Sequence, residues 1–200
     1  DRYPSYLADY DPAHVHHEVR ISYRQAMADA ALQRFKEIPV LMYHQVPDCP
    51  PQGSIHRVYT TRDDLRAQFA SLKKRGFEAT TFADLANGVR VKKPVILTFD
   101  DGYEDNHRNL LPLLEEFDFK AVIYALADER LTRNEWDIPS GEPPAALMNR
   151  QQLQACVDSG RIEIGSHGLQ HQHLPTLSDE ELEAEVNESK RRLEQWLGCE

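Results

Sequence analysis

The chain has 200 residues and a formal net charge of −10, with 33 acidic against 23 basic side chains. That length suits one domain with a sizeable core, and the acidic balance argues against nucleic acid or an anionic membrane surface as the main partner. No apolar run approaches the ~20 residues that span a bilayer, and Cys49, Cys156 and Cys199 are too scattered for a disulfide framework or a zinc ribbon.

Residues 1–37 read as a lead-in. Tyr, Asp and Pro at the start favour irregular backbone, and Ala26, Ala30 and Ala31 then favour a helix over Ile21–Phe35. His14, His16 and His17 fit a solvated helix start better than a metal tract. The segment is a linker or an extension. No secretory leader is visible in a chain that begins at Asp1, so cell envelope and cytoplasm both stay open, as does the oligomeric state.

From Ile38 strand and helix alternate. Pro39–Tyr43 is an apolar strand ending at His44, a histidine placed either to bond backbone in the core or to line a site at the strand end. The loop from Val46 to Tyr59 carries Pro50, Pro51 and Gly53. Thr61 caps a helix whose Leu65, Phe69 and Leu72 form an apolar stripe up to Gly76. A short helix over Phe82–Ala86 stops at Asn87-Gly88.

Pro94-Val-Ile-Leu-Thr-Phe-Asp100-Asp101-Gly102 is the centre of the chain. The apolar run reads as a strand buried on both faces, and in parallel α/β folds chemistry collects at the carboxyl ends of such strands. On extended backbone successive side chains point opposite ways, so two adjacent carboxylates can hold different tasks. Asp-Gly is also a common turn dipeptide.

A helix with Leu110, Leu113 and Leu114 follows, with Pro112 in its first turn or at a kink, and then a buried strand over Lys120–Ala125. Asp128–Ala145 is a long polar loop with Trp136, either a substrate rim or core cover. Asn149 or Arg150 opens a helix that ends at Gly160, with Cys156 packed inside. Arg161–Gly165 alternates like a strand and leads to Ser166-His167-Gly168-Leu169-Gln170-His171. On a helical turn the i, i+4 spacing would set both imidazoles on one face, and two histidines with one aspartate make a facial metal site with open positions. Ser178-x-x-Glu181 is a capping box opening a last helix with a Leu182, Val186, Leu193 stripe, and the acidic run Asp179–Glu188 reads as its solvated face.

Thr98-Phe99-Asp100-Asp101-Gly102 and Ser166-His167-Gly168-Leu169-Gln170-His171 resemble the first two motifs of the polysaccharide deacetylases, carbohydrate esterase family 4. The resemblance runs from about Ile38 to the end, through Val40–His44, Leu174 and the Ser189–Gly198 helix. Gly168 stands where the family usually has Thr or Ser, and Gln172 where Pro is common.

The resemblance implies a distorted, incomplete (β/α) barrel with parallel strands, truncated at its C-terminus, with residues 38–200 as the N-terminal part of the deacetylase domain. Four strands are counted, around Val40, Ile96, Ile123 and Ile164. It implies Asp101, His167 and His171 as ligands of a divalent metal, most simply zinc, and Asp100 as the catalytic base. His44 is the substrate-binding candidate. The oxyanion donor and the general-acid histidine are expected beyond Glu200. The implied reaction is hydrolysis of N-acetyl groups on a glycan. The alternatives are hydrolysis of another non-peptide C–N bond, such as a cyclic amide or formamide, and a carbohydrate-binding module without activity.

Overall fold

A computed structural model describes residues 38–198. The helix expected over Ile21–Phe35, the His14, His16 and His17 tract and Cys199 lie outside the described residues. The chain divides into two compact units, one of which comprises residues 38–82 and 91–200. The described part of the other is Ala83–Arg90, where the short helix Phe82–Ala86 closes with Asn87 N–H donating to Ala83 O and Gly88 N–H to Leu85 O.

In chain order the elements are β1 (Val40–Tyr43), α1 (Arg62–Lys74), β2 (Glu78–Thr80), α2 (Phe82–Ala86), β3 (Pro94–Phe99), α3 (Leu111–Phe117), β4 (Ala121–Ala125), α4 (Arg150–Asp158), β5 (Ile162–Ser166), α5 (Asp179–Glu183) and α6 (Ser189–Leu197). Two π-helical turns, Asn106–Leu110 and Ala184–Glu188, lead directly into α3 and α6. The strands form one five-stranded parallel sheet in the order β1-β3-β4-β5, with β2 paired to the first half of β3. Parallel pairing with intervening helices is what alternating strand and helix segments dictate. The fifth strand, β2, is one the sequence reading lacks: Glu-Ala-Thr is three residues long and carries no apolar run.

β3 lies at the middle and is buried at all six positions. Burial on both faces is why the run shows no alternation. The core joins Val95, Leu97 and Phe99 to Leu65 and Phe69 of α1, Leu113 and Leu114 of α3, and Ala121 and Ile123 of β4. Phe69 stands edge-on to Phe119 with ring centroids 5.4 Å apart, and Tyr43 stacks on Phe99 at 5.0 Å. Pro112 is the second residue of α3 but follows the π-helical turn without a break, so it lies inside a continuous helical run whose hydrogen-bond ladder its missing N–H interrupts.

The expected caps form. Thr61 accepts from Asp64 N–H, Asn149 and Gln152 make a reciprocal capping box on α4, and Ser178 and Glu181 make another on α5. Cys156 is fully buried on α4, and burial pushes its thiol up to about 12, whereas Cys49 is exposed.

Candidate active site

The aspartate pair occupies the turn that leaves β3. Asp100 N–H donates to Tyr43 O at 2.9 Å, extending the β1 ladder one residue past the strand. Asp101 and Gly102 then adopt left-handed backbone, φ 72° and 74°. A turn, rather than the pleat expected of extended backbone, therefore separates the two carboxylates. Gly102 also lies flat on β4: a Cβ there would meet Ala125 Cα at 3.3 Å. Asp101 ends 4% exposed.

The turn is held from below. Asn106 Nδ2 donates to His44 O at 3.0 Å and Asn109 Nδ2 to Val46 O at 2.8 Å, so the π-helical turn after the aspartates grips the exit of β1. This places His44 Nε2 at 4.0 Å from Asp100 Oδ2.

The histidines occupy the loop that leaves β5. His167 N–H donates to Ala125 O and Ala127 N–H to Gly168 O, both at 2.9 Å, so the loop continues the β4 edge for two residues. It is not helical, contrary to the i, i+4 expectation. Gly168 has φ 87° and His171 φ 58°, and these left-handed residues bend the loop until both rings face the same side. Gln170 Nε2 donates to Asp128 Oδ2 at 2.7 Å. Trp136 stacks on the His171 ring at 4.4 Å and 9°, itself resting on a small apolar patch of Tyr103, Leu126 and Leu147.

The two loops converge. His167 Nε2 and His171 Nε2 lie 3.1 Å and 3.3 Å from Asp101 Oδ1. Among the described residues these three side chains form a cluster whose ligand atoms all lie within 4.8 Å of one another. Asp101 Oδ1 is buried, and although both ring nitrogens stand close to it neither makes a well-aligned hydrogen bond to it. Ligands about 2.0–2.1 Å from one ion stand roughly 3.0–3.4 Å apart, which is the spacing of each imidazole nitrogen from Asp101 Oδ1. An orphaned buried oxygen with two imidazole nitrogens at that spacing fits a divalent cation better than an ion-pair network. The donor set suits zinc without excluding other divalent ions.

Electrostatics separate the two aspartates. Burial alone would raise the Asp101 carboxyl, but the His167 and His171 rings outweigh it and hold the group below the ordinary carboxylate range. Asp101 in turn raises the His171 imidazole. Asp100 is raised, chiefly by burial, with His167 and His44 opposing the shift.

A family model described as polysaccharide deacetylase matches residues 87–200, more than half of the chain, and covers both loops. The chain belongs to the polysaccharide deacetylase family. Similar members include the Bacillus subtilis protein YxkH, 26% identical over 160 residues that cover 78% of this chain and 50% of that protein. The poly-beta-1,6-N-acetyl-D-glucosamine N-deacetylase of Escherichia coli K12 is 28% identical over 138 residues, 64% of this chain and 20% of that one. The crystal structure of a polysaccharide deacetylase from Bacillus cereus superposes with a TM-score of 0.65 at 29% identity, covering 82% of this chain and 48% of that chain. This polysaccharide deacetylase chain thus spans half the length or less of these relatives. The shared architecture is the parallel sheet with flanking helices of a (β/α) barrel, as the sequence implies.

One part of the site departs from the sequence reading. Glu185, assigned to a solvated acidic face, is 6% exposed, and its Oε1 accepts from Leu169 N–H at 2.7 Å and Gln170 N–H at 2.9 Å. The expected Val186 stripe residue is instead 50% exposed. The π-helical turn Ala184–Glu188 inserts one residue into the helix, so the inner face runs Glu185, Ser189, Leu193, Leu197. A register slip of this kind leaves no mark on apolar spacing. The stack of Trp136 on His171 was equally hidden, because nothing in the sequence ties an aromatic residue in a long loop to a histidine 35 positions later.

Proposed function

We propose that the protein is a metal-dependent deacetylase that hydrolyses N-acetyl groups of an amino-sugar polymer or glycan to give a free amine and acetate. The observation that carries this is the convergence of Asp101, His167 and His171 on an orphaned carboxylate oxygen, with Asp100 left free beside them. The poly-N-acetylglucosamine deacetylase among the relatives supports the glycan class. In this reading residues 38–200 belong to the deacetylase domain, and residues 1–37 precede it.

Asp101 Oδ1, His167 Nε2 and His171 Nε2 would hold the ion, zinc by preference. Once bound there it would supply Lewis acidity to the amide carbonyl and to an attacking water. Asp100 is the general base, since its carboxylate stands next to the ligands without belonging to them. Its raised pKa makes it a stronger proton acceptor than a surface aspartate once ionised. Water adds to the carbonyl carbon as Asp100 takes its proton. The C–N bond then breaks, acetate leaves, and the proton returns to the departing amine. His44, whose Nε2 stands 4.0 Å from Asp100 Oδ2, would orient the substrate.

The deciding measurement is acetate release from N-acetylglucosamine oligomers by the zinc-loaded protein. Release that stops on chelation and returns with zinc is expected. Turnover of cyclic amides without acetate release would replace this reading with the other C–N hydrolase. Oligomer binding without release would replace it with a carbohydrate-binding role.

A further inference from the structure

The histidine loop carries a device that the metal reading does not require. Gly168, between the two histidines, has φ 87°, and a Cβ built on it would meet Glu185 Oε1 at 2.8 Å. The volume that a side chain at position 168 would fill is thus occupied by a carboxylate from the π-helical turn before α6. That carboxylate is buried, and the same Oε1 collects the consecutive N–H groups of Leu169 and Gln170. A charged acceptor of two backbone donors at 2.7 and 2.9 Å makes strong bonds that resist rotation of the peptides between them. Those peptides are the ones whose direction sets the swing of His171, at φ 58°, relative to His167.

Three observations agree. A Cβ at position 168 would press on that carboxylate at 2.8 Å and displace it from its present seat. Without the π-helical turn Glu185 would point elsewhere, as its neighbour Val186 does. Ser189, one turn on along the same inner face, ties Ser166 through an Oγ–Oγ bond of 2.7 Å, so the helix grips the loop on both sides of His167.

We propose that Glu185 is a positioning residue for the metal ligands His167 and His171, and that Gly168 is the complementary half of the same lock. The inference rests on the metal-site reading above. It adds that the geometry of the histidine pair is set by a helix residue that touches neither metal nor substrate. Outer-shell partners of metal ligands typically contribute about 10- to 100-fold in affinity, and Glu185 belongs in that range.

The test measures zinc affinity by chelator competition, together with amide hydrogen exchange at Leu169 and Gln170. Glu185→Ala is expected to weaken zinc binding about 10- to 100-fold and to speed exchange at those two amides at least tenfold. Glu185→Gln, whose amide oxygen still accepts both N–H groups, should stay within a few-fold of wild type on both readouts. Gly168→Ala should weaken zinc binding by a similar factor in the wild-type background, and by less once Glu185 is already alanine.

Faster exchange with unchanged zinc affinity would reduce the contact to loop stability and overturn the proposal, as would a Gln variant as impaired as the Ala variant. Should Glu185→Ala fail to fold, Glu185→Asp, one methylene shorter, replaces it with the same two readouts and the same overturning result. A wild-type protein that binds no zinc would refute the metal site itself, and this inference with it. Zinc bound tightly by both wild type and Glu185→Ala would refute this inference alone.

Discussion

The aspartate loop and the histidine loop reach the same point by different means. The first leaves a strand buried at every position, and its Asp101 is 4% exposed. Tyr43, Gly102 against β4, and two asparagine side chains fix it from within the core. The second leaves β5, whose last residue is exposed, and its His167 and His171 side chains are 31% and 35% exposed. It is held by polar and aromatic contacts from outlying elements: Glu185, Asp128 and Trp136. One half of the site is placed by packing, which tolerates little adjustment. The other is placed by a few replaceable contacts, and coordination is the term that would complete it.

Substitutions can test that contrast, beginning with the largest effect. Asp100→Asn keeps the shape and the proposed ligands but removes the proposed base. Turnover should fall about 10²- to 10⁴-fold, while zinc content measured by elemental analysis stays near wild type. Loss of zinc in this variant would exchange the roles of the two aspartates.

Next come two substitutions that should separate folding from coordination. Phe99→Ala, in the packed half, should cost about 3–5 kcal/mol in denaturant unfolding. His167→Ala should leave the apo protein nearly as stable as wild type, yet lower zinc affinity more than the roughly 100-fold ceiling of outer-shell changes. If His167→Ala destabilised the apo protein as much as Phe99→Ala does, the proposed division between the loops would be wrong.

A smaller effect concerns pH. Burial pushes the Asp105 carboxyl, at the base of the aspartate turn, up to about 6. The ordinary aspartate value is about 3.9, so between these limits the folded state binds more protons than the unfolded chain. Stability from this group therefore rises as pH falls from about 6 to about 4, and the cost is complete above pH 6. Asp105→Asn should raise stability at pH 8 by on the order of 1–3 kcal/mol and have little effect near pH 4. Equal effects at both pH values would mean that ionisation is not the cause. The smallest change is expected at Trp136: removing its stack on His171 by Trp136→Ala should weaken zinc binding only about 2- to 10-fold, with Trp136→Phe intermediate.

The same contrast explains what could be read from the chain. The buried strand and its Asp100-Asp101-Gly102 end were legible because an apolar run, two carboxylates and a glycine are local signals. The capping box at Ser178 was legible for the same reason. The histidine pair was legible as chemistry but not as backbone, since i, i+4 spacing suggests a helix and Gly168 breaks it. The contacts of Glu185 and Trp136 were not legible because their partners lie 15 or more positions away. β2 was missed because three residues paired to a stronger strand need no pattern of their own.

The pair of thiols offers a practical consequence. Cys49 is exposed on the loop after β1, whereas Cys156 sits sealed within α4 with its acidity suppressed. Thiolate is the species that alkylates, so among the described residues a maleimide dye at neutral pH should decorate Cys49 alone. Slow later modification of Cys156 would then time the breathing motions that lift α4 away from the sheet.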